Sequence, residues 1–184
     1  MEKSIIYILF VCSLAFPTIS GGQSYHPANT LDALNDLREL LLEEVGNTEA
    51  GWNTGPEIDK YFEVTELNPG VAWCSIFIMW GYEQIDVSYC GTPWSPSWFI
   101  SGTTIYKKGE FTYYIPRFGD AFGIYFRSKG RVAHVGFILA WLPEQGLVMT
   151  LEGNTNAGGS REGDGVFIRH RPIDQIYQVA RFVW

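Results

Sequence analysis

Apolar side chains recur at Leu31, Leu34, Leu37, Leu41 and Val45, close to the spacing of a helix that turns one face to a core. Thr30 stands where an N-cap belongs, and Gly46 where such a helix stops. Gly51-Trp52-Asn53-Thr54-Gly55-Pro56 reads as a loop. Thr54 or Gly55 then caps a second helix, with Pro56 in its first turn and Ile58, Tyr61 and Phe62 pointing inward. After the break at Asn68-Pro69-Gly70, a third helix is expected from about Trp73 to Gln84, burying Ile76, Phe77 and Trp80. A short helix starts at Ser95-Pro96 and holds Trp98 and Phe99. The pattern changes after Pro116. Ala121 to Phe126, His134 to Trp141, Leu147 to Leu151, Val166 to His170 and Gln178 to Val183 read as strands. Several are near-continuous apolar runs, as expected where a strand is covered on both faces. Pro143-Glu144-Gln145-Gly146 is a hairpin connection. Helices first and strands second predict an α+β domain, with N-terminal helices packed on a C-terminal, largely antiparallel sheet.

The first residues belong to a different pattern. Lys3 precedes the apolar run Ile5 to Phe16, and the small residues Thr18, Ser20, Gly21 and Gly22 follow it. That run is shorter than the roughly 20 residues needed to cross a bilayer. A positive start, a short apolar core and small residues describe a secretory signal over residues 1–22, with one domain over 23–184. The expected location is secreted or periplasmic, and no later segment is apolar enough to span a membrane.

Composition narrows the function classes. Of 184 residues, 46% are apolar, 16% aromatic and only 18% charged, so the chain can bury enough surface to fold. The formal charge is −7 and Lys and Arg form no cluster, which argues against nucleic acid as a partner. Three dispersed cysteines with no C-x-x-C spacing suit neither a zinc ribbon nor a disulfide scaffold. Asn154-x-Asn156 has the opening spacing of a calcium loop, but Gly158 occupies the next ligand position. No metal and no organic cofactor is expected, and the protein is expected to be a monomer.

Cys74 falls in the first turn of the third helix, just after a Pro-Gly break. A helix N-terminus favours thiolate over thiol, and its N–H groups can hold the oxyanion formed when a carbonyl is attacked. Position alone fits a nucleophile and a small buried core residue equally well. Of the three histidines, His26 lies in the polar lead and His170 sits between Arg169 and Arg171. His134 opens an apolar strand and is the candidate base. Antiparallel pairing across the 143–146 turn brings residues 152–155 alongside 134. Either Glu152 or Asn154 is then placed to accept the Nδ1 proton of His134 and fix its tautomer.

Ala72-Trp73-Cys74-Ser75-x-Phe77, Pro116-x-x-Gly119-Asp120, Ala133-His134-Val135-Gly136 and Glu152-Gly153-Asn154, in that order, resemble the CHAP domains. The stretch Glu49 to Pro56, followed by Tyr61, is similar to a lead-in segment of many such proteins. CHAP domains are cysteine- and histidine-dependent amidohydrolases and peptidases with a papain-like fold, acting mostly on bacterial cell-wall peptides. The resemblance spans about Thr30 to Trp184 and implies a papain-like fold. It also implies an exported hydrolase that cleaves amide bonds in peptidoglycan or another peptide substrate, as amidase or endopeptidase, through a thioester acyl-enzyme. It casts Cys74 as nucleophile, His134 as base, Glu152 as the orienting carboxylate and Asn154 as a nearby polar partner. Asp120 falls in a turn before the first strand and is read as structural. Some CHAP domains carry an acidic calcium site near the N-terminus; the Asp-x-Asp motif is lacking here, so metal is not carried over. The competing reading is a non-catalytic cell-wall or glycan-binding module with a structural Cys74–Cys90 disulfide, using rings such as Trp52, Trp73, Trp94 and Trp98. Most of those rings are expected in the core.

Overall fold

The computed structural model describes residues 30–100, 102–156 and 163–184. The expected signal and His26 lie outside the described residues, as does the middle of the Gly-rich stretch after Gly153.

Helix α1 (Thr30–Glu43) buries Ala33, Leu37 and Leu41, while Leu31 at its start is exposed. Thr30 is already helical rather than a cap outside the helix, and its hydroxyl donates to the Trp184 carbonyl. Gly46 has φ 97°, the left-handed turn expected just past the helix. Helix α2 (Pro56–Asp59) is a single turn capped by Gly55 and continues as a 3-10 segment, Lys60–Val64, that buries Tyr61 and Phe62. Helix α3 (Cys74–Gln84) is buried from Cys74 through Tyr82, as a helix apolar on every face must be. The 3-10 turn Ser95–Trp98 buries Trp98.

Among the described residues six strands follow: β1 (Thr104–Lys107), β2 (Ala121–Phe126), β3 (Arg131–Leu142), β4 (Leu147–Thr155), β5 (Gly165–Pro172) and β6 (Gln178–Ala180). They form one antiparallel sheet in the order β1-β6-β2-β3-β4-β5. The sheet matches the α+β expectation, with β1 as an addition: the sequence reading begins its strands only after Pro116. β3 and β4 both run longer than their apolar cores suggest, and the longer β4 carries Glu152, Gly153 and Asn154 into the sheet.

The helices cover one face of the sheet. Leu37, Leu41, Tyr61, Trp73, Phe77 and Tyr82 pack there with Val135, Phe137 and Leu151. A smaller cluster of Ile105, Phe122, Ile138, Val148, Ile176 and Val179 forms a second core. Phe137 and Ile138 are neighbours in β3 yet belong to different clusters, as strand alternation requires. Gly153 brings α3 against β4. A Cβ there would lie 2.5 Å from the Trp73 ring and 2.8 Å from Phe77, so only glycine lets the Cys74 end of the helix sit this close. Among the described residues no helix is long and apolar enough to cross a membrane.

Candidate active site

Three elements bring the candidate residues together. Cys74 is the first residue of α3, His134 lies in β3 and Glu152 in β4. Trp73 precedes the helix without a side-chain cap, and Phe77 N–H donates to the Trp73 carbonyl at 2.9 Å to open the helical ladder. The first N–H groups of an α-helix have no partner within the helix, so positive partial charge collects around Cys74. Neither Cys74 nor Cys90 is in a disulfide, which removes the bridge of the competing reading.

The pairing Phe137↔Leu151 and Ile138↔Thr150 brings the far end of β4 back to His134. His134 Nε2 lies 2.7 Å from Glu152 Oε2, with both side chains buried. This corrects the expected ring orientation: Nε2, not Nδ1, meets the carboxylate. Nδ1 is buried and makes no hydrogen bond, which leaves it as the ring nitrogen available to Cys74. Cys74 and His134 shift each other's titration. Burial pushes the Cys74 thiol up, but His134, the Val135 backbone and the Ser95 hydroxyl together hold it below a cysteine's ordinary value. Ser95 Oγ is 3.9 Å from the Cys74 sulfur. Burial works against the charged imidazole, yet Cys74 and Glu152 raise His134 from 6.5 to about 9. Both shifts run in the direction of a thiolate beside an imidazolium.

Glu152 has no exposed surface, and its oxygens are filled by donors. Arg171 Nη2 donates to Oε2 and Nε to Oε1, each at 2.5 Å, and Thr150 Oγ1 donates to Oε1 at 2.6 Å. Burial opposes ionisation, but Arg171 and His134 outweigh it and hold the carboxyl at about 2. The sequence reading passed over Arg171 and Thr150. Thr150 was legible, because residues two apart on a strand share a face and Glu152 was already singled out.

Asn154 lies elsewhere. Its φ of 53° falls where the β4–β5 register shifts between Glu152 and Thr155, and its Nδ2 donates to Asn53 Oδ1 at 3.0 Å and to the Gly163 carbonyl at 3.3 Å. Of the two expected partners for His134, only Glu152 is bonded to it. Asn154 instead helps line a cleft of about 530 Å³ with Glu49, Trp52, Asn53, Val71 and Asp164. Glu49 ties the cleft to the helix start: its Oε1 accepts from Trp73 Nε1 at 2.8 Å, and its Oε2 from the Asn53 N–H at 2.7 Å. Trp73 and Trp98 are core residues, but Trp52 and Trp94 are exposed, so only two of the four rings lie in the core where most were expected. His170 is exposed.

No protein-family model matches the chain, and neither does any curated protein sequence. Among solved structures, the chain is similar in fold to the crystal structure of a wild type endolysin, LysIME-EF1. That match has a TM-score of 0.52 and 14% sequence identity, and it covers 82% of this chain. The chain spans 64% of that endolysin's length.

Proposed function

We propose that the protein is a cysteine hydrolase with a papain-like fold that cleaves amide bonds in peptidoglycan peptides. The observation that carries this reading is the convergence of Cys74, His134 and Glu152 from α3, β3 and β4 into one buried, charge-alternating row. A core cysteine would give no reason for a buried histidine paired with a buried carboxylate beside it. The CHAP-like motifs and the fold likeness to an endolysin point the same reading toward the bacterial cell wall.

In the mechanism, the Cys74 thiolate attacks the carbonyl carbon of the amide and a C–S bond forms. The electron pair moves to oxygen, and the N–H groups at the start of α3 face the oxyanion. His134, as imidazolium, gives its proton to the leaving nitrogen as the C–N bond breaks, leaving a thioester on Cys74. Neutral His134 then takes a proton from water, whose oxygen attacks the thioester. The acid leaves and the thiolate–imidazolium pair is restored. Glu152 accepts from Nε2 throughout, which keeps Nδ1 toward the sulfur.

The cleft beside Asn154 and Trp52 is where the peptide on one side of the scissile bond is held. Its amide side chains can hydrogen-bond peptide groups and its exposed indole can cover them. Residues 1–22 are removed on export and residues 23–184 form the working domain. The test is digestion of purified cell wall, with released fragments identified by mass spectrometry. Wild type should generate new amine and carboxyl termini at one type of amide bond, and Cys74→Ser should generate none. Fragments formed equally by both proteins would refute the assignment. A protein that binds the wall without cutting it would favour the binding-module reading.

A further inference from the structure

Glu152 cannot act on His134 unless it is an anion, and its surroundings do not make it one by default. A carboxylate with no solvent contact takes up a proton unless opposite charge and donors hold it ionised. The charged groups that face it are His134 from β3 and Arg171 from β5, with Cys74 of α3 beyond the imidazole. His134 cannot be the sole source of that charge, because its own proton is the one the chemistry moves. Arg171 is the constant cation. It is itself nearly buried, and its fork meets both oxygens of Glu152 at 2.5 Å. With Thr150 on Oε1, the fork also fixes the plane of the carboxylate and leaves one site on Oε2, which His134 Nε2 occupies at 2.7 Å.

We propose that Arg171 is a positioning residue for the hydrolytic centre: it holds Glu152 ionised and oriented, so that Glu152 holds the His134 imidazolium and, through it, the Cys74 thiolate. This rests on the cysteine-hydrolase reading above. Arg171 has two opposed effects on His134, a direct repulsion and an indirect attraction through Glu152. The attraction wins because Glu152 is in contact with the ring while the guanidinium stands one group further away. Removing the guanidinium lets Glu152 take up a proton, weakens the imidazolium and raises the pH at which Cys74 ionises. Lysine keeps the charge but cannot span both oxygens, so it repairs the field and not the geometry.

The test is the pH dependence of alkylation by iodoacetamide in the full chain, read at the Cys74 peptide by mass spectrometry. Wild type should show a midpoint below that of an ordinary cysteine. Arg171→Met should raise that midpoint by about one pH unit or more. Arg171→Lys should raise it less, and Thr150→Val least. On cell-wall substrate, Arg171→Lys should lower kcat with KM little changed. If Arg171 only clamps β5 to β4, the variants will unfold more easily while the alkylation midpoint stays where wild type has it. That result in folded Arg171→Lys overturns the proposal, and Arg171→Lys with Thr150→Val decides the matter should Arg171→Met fail to fold. A wild-type midpoint at the ordinary cysteine value would instead overturn the nucleophile reading, so the two failures are distinguishable.

Discussion

Among the described residues, two of the buried carboxylates, Asp120 and Glu152, are each gripped by an arginine fork. Asp120 accepts from Arg181 Nε and Nη2, both at 2.8 Å, and from the Arg117 N–H at 2.8 Å. Glu152 accepts from Arg171 through the same two kinds of nitrogen, at 2.5 Å. All four side chains are buried. The difference is the third partner. Asp120 adds a backbone amide, which has no titration near neutral pH, and Arg181 goes on to the Ile115 carbonyl. That pair ties the turn before β2 to the chain end after β6, and nothing in it can carry a proton to a substrate. Glu152 adds a histidine, and the histidine adds a cysteine at a helix start. The same fork is a clasp in one place and, in the proposed mechanism, the base of a proton-handling row in the other.

The strongest way to break the contrast is at the end of that row. Cys74→Ala and His134→Ala should each cost at least about a thousandfold in turnover, as loss of a nucleophile or its base does. Both proteins should remain folded, as checked by circular dichroism. Loss of activity that only tracked loss of fold would place Cys74 with the core residues instead.

The matched pair Glu152→Gln and Asp120→Asn sharpens the comparison. Each strands an arginine in a buried setting, so each should destabilise by about 3 kcal/mol, the lower end for a broken buried ion pair. Only Glu152→Gln should also lower turnover, by about a hundredfold or more, because an amide stabilises the imidazolium less and can select the wrong tautomer. Denaturant melts and initial rates on the same preparations separate the two effects. Equal turnover losses in both variants would erase the distinction.

pH gives two further readings of smaller size. Glu152 is held at about 2 against an ordinary 4.5, so its contribution to stability is present above 4.5 and is lost as pH falls through 2. Melting temperatures from pH 5 to 2 should fall for wild type and fall less for Glu152→Gln. His134 sits at about 9, so turnover should decline as pH rises through 9 and the leaving amine loses its proton donor. The acid limb should lie below the ordinary cysteine value, because the thiol is lowered. A rate limb tracking an ordinary histidine near 6.5 would show that no ion pair forms.

The smallest effects belong to residues outside the row. Asn154→Ala should raise KM more than it lowers kcat, since Asn154 lines the cleft and is bonded to Asn53 rather than His134. Exposed His170→Ala should leave both constants within about twofold. A kcat loss for Asn154→Ala as large as that of Glu152→Gln would reverse their roles.

Much of this was legible in the chain. Apolar runs and the Pro143–Gly146 connection carry enough register information to bring residues 152–155 alongside His134, with Glu152 and Asn154 both left as partners. Four residues of mixed polarity hid β1: Thr104-Ile105-Tyr106-Lys107 form an edge strand paired only to β6, so no apolar run marks them. Arg171 was passed over for a related reason. Beside Arg169 and His170 it looks like one of a run of solvated cations, and its burial follows from its pairing with Val148, two residues from Thr150. The ring nitrogen that meets Glu152 is a matter of side-chain orientation, which no spacing encodes. Asn154 escaped because a positive φ at the end of β4 sends its amide to Asn53, a partner about a hundred residues away in the chain.

The central claim is that Cys74 carries the acyl group. Purified protein can be mixed with cell-wall peptides, quenched in acid within the first turnovers and digested for mass spectrometry. The account predicts a peptide spanning Cys74 whose mass is increased by the acyl part of the substrate, released by hydroxylamine and absent from Cys74→Ser. Cleavage products accumulating without any such adduct, or an adduct on another residue, would contradict it.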